Sequence, residues 1–349
     1  MSQKISIISS RFLEPWHNLS PWETGQGGSE LTAIYLHNYL EKRGYEVNSY
    51  VPLPNNYVAP KNWHHFDNFE VGRKDENYIL FRNAEMLDKF PEGFNIIFVA
   101  QDVGYPELTE DRGKKLTKYV CLCKDHVEYT KKHYPWLGEK IVLSSNGIDV
   151  DRILATPQVS RNPNKIIYTS SPDRGLKLIL ENWFRVLERH AEAELHVFYG
   201  LNNVDELYRR CGSWYGEFSQ EIRYLCNQKN IFFKGRTPQQ ELYKEIKSSN
   251  VAWYPNCFDE TSCISCMEWQ SLGAVPISNE LWALRDNILH GFKTLNKPQA
   301  NELAKHQQLD WLIYCLKNPD ISWREQMIQD ALKRFDFNNF VNQYESWLI

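Results

Sequence analysis

Residues 254–278 read YPNCFDETSCISCMEWQSLGAVPIS and decide how the rest of the chain is understood. The stretch closes an apolar strand (Val251 to Tyr254), breaks at Pro255-Asn256 and crosses an acidic, hydroxyl-rich loop. It then predicts a helix from about Cys263 to Leu272, which Gly273 stops before a second strand, Ala274 to Ile277. Glu260 lies in the loop and Glu268 on the helix, with seven residues between them. A helix N-terminus offers free N–H groups and a positive dipole end, so an anion can bind there without a cationic side chain. Glu268 lies one to two turns further in, about 6–8 Å along the axis. Carboxylates at the two ends of such a site can each accept hydrogen bonds from vicinal diols.

Working outward, 349 residues suggest two domains, each with its own core. Forty basic against forty-four acidic residues give a net charge of -4, which argues for no polyanion partner. No apolar run reaches the roughly 18 residues of a membrane span, and MSQKISIISS reads as a first strand rather than a secretory leader. Eight cysteines without a leader point to reduced thiols and a cytoplasmic location. Cys263 and Cys266 form a C-x-x-C at a helix start, where a thiolate pKa can fall. A thiol or zinc site on Cys257, Cys263 and Cys266 is therefore one functional class to weigh, although no second C-x-x-C accompanies it.

Strands and helices alternate along the chain. Lys4–Ser10 predicts a buried strand, Ser29–Arg43 a helix capped by Gly44, and Glu46–Val51 a second strand. A glycine loop, Gly25-Gln26-Gly27-Gly28-Ser29-Glu30, precedes that helix without the spacing of the dinucleotide fingerprint. Strands are expected at 78–81, 95–100, 119–123, 140–144, 165–170, 194–200 and 230–235, and residues 52–95 are otherwise weakly patterned. Asp173 is a plausible N-cap for a helix reaching His190, and Asp102 is an N-cap candidate after the strand ending at Ala100. Pro157, Asn162, Pro163 and Asn164 mark a hinge over 152–164.

At these residues the chain resembles the retaining nucleotide-sugar glycosyltransferases of the GT-B fold, the group 1 (family four) class. The Glu260-x7-Glu268 element, the Gly27-Gly28-x-Glu30 loop and the Ser145-Asn146-Gly147-Ile148-Asp149 turn carry the resemblance. It covers nearly the whole chain, most strongly 165–278 and 318–349. The fold it implies is α/β, two Rossmann-like domains with parallel sheets facing across a cleft. Residues 1–155 would form the acceptor-side domain and 156–330 the nucleotide-sugar domain, with 331–349 crossing back to the first.

The implied reaction moves a sugar from a nucleotide diphosphate donor to a glycan, lipid or small-molecule acceptor, with retention and without a metal or other cofactor. Carried over by position, Glu260 touches the donor sugar and Glu268 the ribose. Arg174 grips the diphosphate, with Ser170 or Ser171 where relatives carry a second basic residue. Gly27 and Gly28 approach the phosphates by backbone, as do Thr261, Ser262, Cys263 and Ile264 at the helix start. The turn at Phe233–Gly235, with Arg236 beside it, meets the base. Asp102 orients an acceptor hydroxyl, and Gln101 replaces the usual His. Acceptor recognition falls on 11–24 and 52–77.

The basic 112–133 region (Lys114, Lys115, Lys118, Lys124, Lys131, Lys132, His133) is read as a solvated face, peripheral membrane contact remaining the alternative. Asp149-Val150-Asp151 superficially matches a D-x-D metal site and is rejected as one. A non-catalytic GT-B module that binds sugar nucleotide or glycan is the second reading, motivated by Gln101 and the missing basic residue. A phosphorylase would need a pyridoxal-lysine motif that the chain does not show.

Overall fold

The computed structural model describes residues 3–10 and 14–349. Residues 11–13 of the expected acceptor loop lie outside the described residues. The chain divides into two compact units, one of residues 1–20, 27–147 and 336–349, the other of 21–26 and 148–335.

The first unit holds a parallel sheet in the order β3-β2-β1-β4-β5-β6-β7. Its strands are β1 (Lys4–Ile8), β2 (Glu46–Val51), β3 (Trp63–His65), β4 (Asn77–Phe81), β5 (Asn95–Val99), β6 (Lys118–Cys121) and β7 (Ile141–Leu143). Central β4 and β5 are buried at every residue, the near-continuous apolar run that a sheet covered on both faces requires. Their leading asparagines are the exception: Asn95 Nδ2 donates to Asn77 Oδ1 at 2.7 Å and to Trp347 O at 2.9 Å. The closing helix Phe337–Glu345 also belongs to this unit. Phe337 packs on Tyr35 and Tyr39 of helix Gly28–Lys42 with ring centroids 5.5 and 5.2 Å away, and Arg43 pairs with Glu345.

The second unit repeats the order as β10-β9-β8-β11-β12-β13. Its strands are β8 (Asn162–Tyr168), β9 (Glu194–Phe198), β10 (Ile231–Gly235), β11 (Ser249–Trp253), β12 (Val275–Asn279) and β13 (Phe292–Thr294). Both orders reverse direction beside the first strand, between β1 and β4 and between β8 and β11. In doubly wound sheets, ligands bind at the carboxyl ends of the strands at that reversal.

Three local expectations change. Asp173 caps no α-helix: Pro172–Arg174 is a 3-10 turn, and the α-helix starts only at Leu176, after Gly175 at φ +128°. The expected run to His190 is broken at Asn182, whose side-chain Nδ2 bonds back to Leu178 O at 2.8 Å, a local competitor to continued helix. Asp102 starts no helix either, since the next one begins at Glu110 with Thr109 as its cap. Further along, two helices, Asn202–Cys211 and Ser213–Leu225, are parted by Gly212 at φ +102°.

Gly175 is a position where only glycine fits. A Cβ there would meet Pro255 O at 2.2 Å, and the backbone is in a region L-residues avoid. Gly175→Ala is expected to destabilise the protein by about 1–3 kcal/mol. Urea unfolding checks this, and an unchanged midpoint would remove the close approach as a constraint.

Candidate active site

Two loops meet at the reversal point of the second unit, residues 169–175 after β8 and residues 254–263 after β11. They are sewn together by backbone and side chain: Cys257 N donates to Arg174 O at 3.3 Å, and Cys257 Sγ to Asp173 O at 3.2 Å. Behind them, Tyr254 OH donates to Glu260 Oε1 at 2.5 Å, and Ser170 Oγ sits 3.3 Å from the same phenol. Ser170, one of the two serines expected where the resemblance implies a second basic residue, is thus engaged with the Tyr254 hydroxyl.

Arg174 lies in the middle of this arrangement. Its guanidinium stacks 3.2 Å from the centre of the Phe258 ring, and its Nε is 3.6 Å from Asp173 Oδ2. Burial alone would lower its pKa, but the charges of Glu260 and Asp173 outweigh it and push the pKa up. Burial pushes the Glu260 carboxyl up, with the Arg174 charge and the Tyr254 hydrogen bond pulling it partly back. One guanidinium nitrogen, Arg174 Nη1, is buried with no hydrogen-bond partner among the described residues, and so is Ser262 Oγ. Orphaned buried donors are costly, and a bound ligand, ion or water is one way such a group is satisfied.

The helix after the loop runs from Ile264 to Leu272. Its N-cap, Cys263, makes no side-chain cap, while Cys263 N donates to Asn287 Oδ1 at 2.8 Å. Thr261, Cys263 and Ile264 are buried at this end. Trp269 Nε1 donates to Thr169 Oγ1 at 2.8 Å and so fixes the helix to the loop after β8. Glu268 is 5% exposed and accepts from Gln239 Nε2 and Tyr243 OH, both at 3.2 Å and both on Oε1. Burial pushes its carboxyl up to about 7. Arg236, after β10, donates to Asn203 Oδ1 at 3.0 Å and lies over the Tyr199 ring.

The other sequence-derived residues lie on the first unit. Gly27 is the extended N-cap of helix Gly28–Lys42 and offers no side-chain cap. Asp102 is held by both guanidinium arms of Arg82, at 3.0 and 3.2 Å, and Arg82 is also 3.5 Å from Glu30. Arg82 follows β4 at the reversal point with φ +63°, and sequence reading missed it. No spacing rule links it to Asp102 twenty residues later. Gln101 forms a reciprocal amide pair with Asn146, 3.0 Å each way, which ties it to the SNGID turn.

Burial pushes the Cys257 and Cys266 thiols up, away from thiolate, which counts against the thiol reading at those two positions. Asp149 caps the short helix Val150–Leu154 and pairs with Arg152. Among the described residues no group of three or more His, Cys, Asp or Glu side chains is arranged to hold a metal ion. Nor is any helix there long and apolar enough to cross a membrane.

No family model and no curated protein matches the chain. Solved structures match its fold. WaaG, a glycosyltransferase involved in lipopolysaccharide biosynthesis, is 14% identical at TM-score 0.64, covering 99% of each chain. Sucrose-phosphate synthase (tll1590) from Thermosynechococcus elongatus is 12% identical at TM-score 0.68, covering 99% of this chain and 98% of that one. Anabaena Alr3699/HepE, in complex with UDP and glucose, is 13% identical at TM-score 0.61, with coverage of 99% and 98%. TarM of S. aureus aligns over 78% of this chain, which spans only 55% of TarM (11% identity, TM-score 0.59). The fold is the GT-B fold of these glycosyltransferases, two Rossmann-like units of parallel sheet.

Glu268 gives a direct test of the site's cost. Its folded-state pKa, about 7 against an ordinary 4.5, means the folded protein holds this proton more tightly than the unfolded chain does. Stability is therefore fully present below pH 4.5 and is lost as pH rises through 7. Glu268→Gln is expected to be the more stable protein at pH 8, by on the order of 2–3 kcal/mol, with the advantage vanishing near pH 4.5. Denaturation curves of both proteins across that range check the sign, and a pH-independent difference would contradict the assignment.

Proposed function

We propose that the chain is a retaining glycosyltransferase that moves a sugar from a nucleotide diphosphate donor to a glycan, lipid or small-molecule acceptor without a metal ion. The observation that carries this reading is a pair of buried donors without partners on the loops after β8 and β11, Arg174 Nη1 and the Ser262 hydroxyl, the latter just ahead of a helix that has no side-chain cap. A guanidinium nitrogen, a hydroxyl and a helix start are the kinds of donor that a multiply charged oxyanion takes up. A diphosphate held there places its attached sugar toward Glu260 and leaves the nucleoside for Glu268, whose buried carboxylate accepts the ribose hydroxyls.

In this mechanism Arg174, Ser262 and the backbone N–H groups of Thr261 and Ile264 take up the charge that develops on the departing diphosphate. They fill the role a divalent cation plays elsewhere, and none has to reorganise at the moment of bond breaking. Glu260, restrained by Tyr254, orients the sugar. No side chain is assigned as base: the leaving phosphate takes the acceptor proton on the face it departs from, which retains the anomeric configuration. Asp102, pre-oriented by Arg82, is assigned to an acceptor hydroxyl. Gly27 and Gly28 keep their expected role as a phosphate-directed backbone.

Ser262→Ala separates catalysis from folding. Removing an oxygen that bonds to nothing else costs little stability, yet turnover of the cognate nucleotide sugar is expected to fall by about 10²-fold. Turnover in EDTA should be unchanged, and the product anomer, read by NMR, should match the donor's. Equal activity of Ser262→Ala and wild type would sink the leaving-group assignment. An inverted product would sink the mechanism, and loss of activity in EDTA would sink the metal-free claim.

A further inference from the structure

The far end of helix Ile264–Leu272, away from the loop just described, opens on a cleft of about 770 Å³ within the second unit. Three cations line it, Arg161, Lys247 and Arg324. Arg161 donates to Ser249 O and to Leu272 O, the latter at 3.2 Å. Arg324 donates to Gly273 O at 2.6 Å and to Asn250 Oδ1 at 2.7 Å, and Lys247 to Thr156 O at 2.9 Å. These partners are carbonyl and amide oxygens, which carry no net charge, and Asp320 offsets part of the Arg324 charge. Burial and the neighbouring Arg324 charge push the Arg161 pKa down to about 10, a sign that the two guanidiniums repel each other. Two acids, Asp320 and Glu325, also line the cleft and are exposed to water, leaving three cations against two carboxylates. The twelve-residue helix Arg324–Phe335 also begins here, adding a positive dipole end.

We propose that this cleft binds a small organic phosphate, separately from the donor site and through its own residues. Two guanidiniums, an ammonium and a helix start favour a dianion. The volume lies in the range of small-molecule sites and is far larger than a lone phosphate needs. Arg161 and Arg324 clamp the carbonyls that end the Glu268 helix. Ligand held by these arginines therefore acts on the same helix that carries Glu268.

The test is isothermal titration calorimetry on the full chain, with ribose 5-phosphate, inorganic phosphate and ribose as probes. Ribose 5-phosphate is expected to bind one to one, inorganic phosphate more weakly, and ribose not at all. Arg161 and Arg324 support the backbone, so the variants are Lys247→Glu and the exposed Gln329→Glu. Each is expected to weaken ribose 5-phosphate at least about tenfold by placing like charge beside the ligand. Should Lys247→Glu fail to fold, Gln329→Glu decides alone. Arg174→Ala, at the other end of the helix, is expected to leave the affinity unchanged. Absence of saturable binding up to about 10 mM, or affinity indifferent to both variants, overturns the proposal. Affinity lost only in Arg174→Ala overturns it too, because the phosphate would then be at the donor loop.

Discussion

A partly buried guanidinium held among an aromatic ring and two carboxylates is the interaction around which the second unit's two loops are arranged. Arg174 is stacked on Phe258, flanked by Asp173 and Glu260, and leaves one nitrogen without a partner. A buried charge needs compensation, and carboxylates supply it only if they are themselves restrained. Tyr254 restrains Glu260, Ser170 lies against Tyr254, and Gly175 lets the Arg174 turn press against Pro255. The chain of dependence runs from a glycine dihedral to the ionisation of an arginine. One guanidinium nitrogen is still left without a partner, a cost that the proposed diphosphate would relieve.

The same logic extends along the helix. Glu268 is held ionisable but costly in a buried position, between donors from Gln239 and Tyr243. A neutral residue there would make a more stable protein, and the charged one persists where a ligand uses it. At the opposite end Gly273 turns left-handed at φ +86°, and two arginines take the carbonyls of Leu272 and Gly273. One nine-residue helix thus has no side-chain cap at its start, a buried carboxylate within and two arginines on the carbonyls at its finish.

Much of this was legible in the sequence where local patterning and local chemistry coincide. Buried runs such as NYILF and NIIFV announce central parallel strands, and the strand-loop-helix-Gly-strand order of 251–277 places Glu260 and Glu268 without coordinates. Strand β3 was not legible, because three residues, WHH, at a sheet edge show no alternation. Asp173 looked like a cap until the backbone of Gly175 intervened. Arg82 and the Arg161–Arg324 pair were invisible for another reason: each is defined by partners far away in sequence, and each alone reads as a surface arginine. Gln101 could be flagged as a departure, but its amide pair with Asn146 belongs to tertiary structure.

The account stands or falls on whether the Arg174 loop and the Glu268 helix start hold a diphosphate. The most direct measurement is calorimetric binding of UDP, GDP and ADP, each beside its parent nucleoside, to wild type and to Arg174→Met. One diphosphate should bind wild type at least about 10²-fold more tightly than its nucleoside, and Arg174→Met should erase most of that difference while leaving nucleoside affinity alone. A wild-type protein that binds no nucleoside diphosphate better than the nucleoside would contradict it.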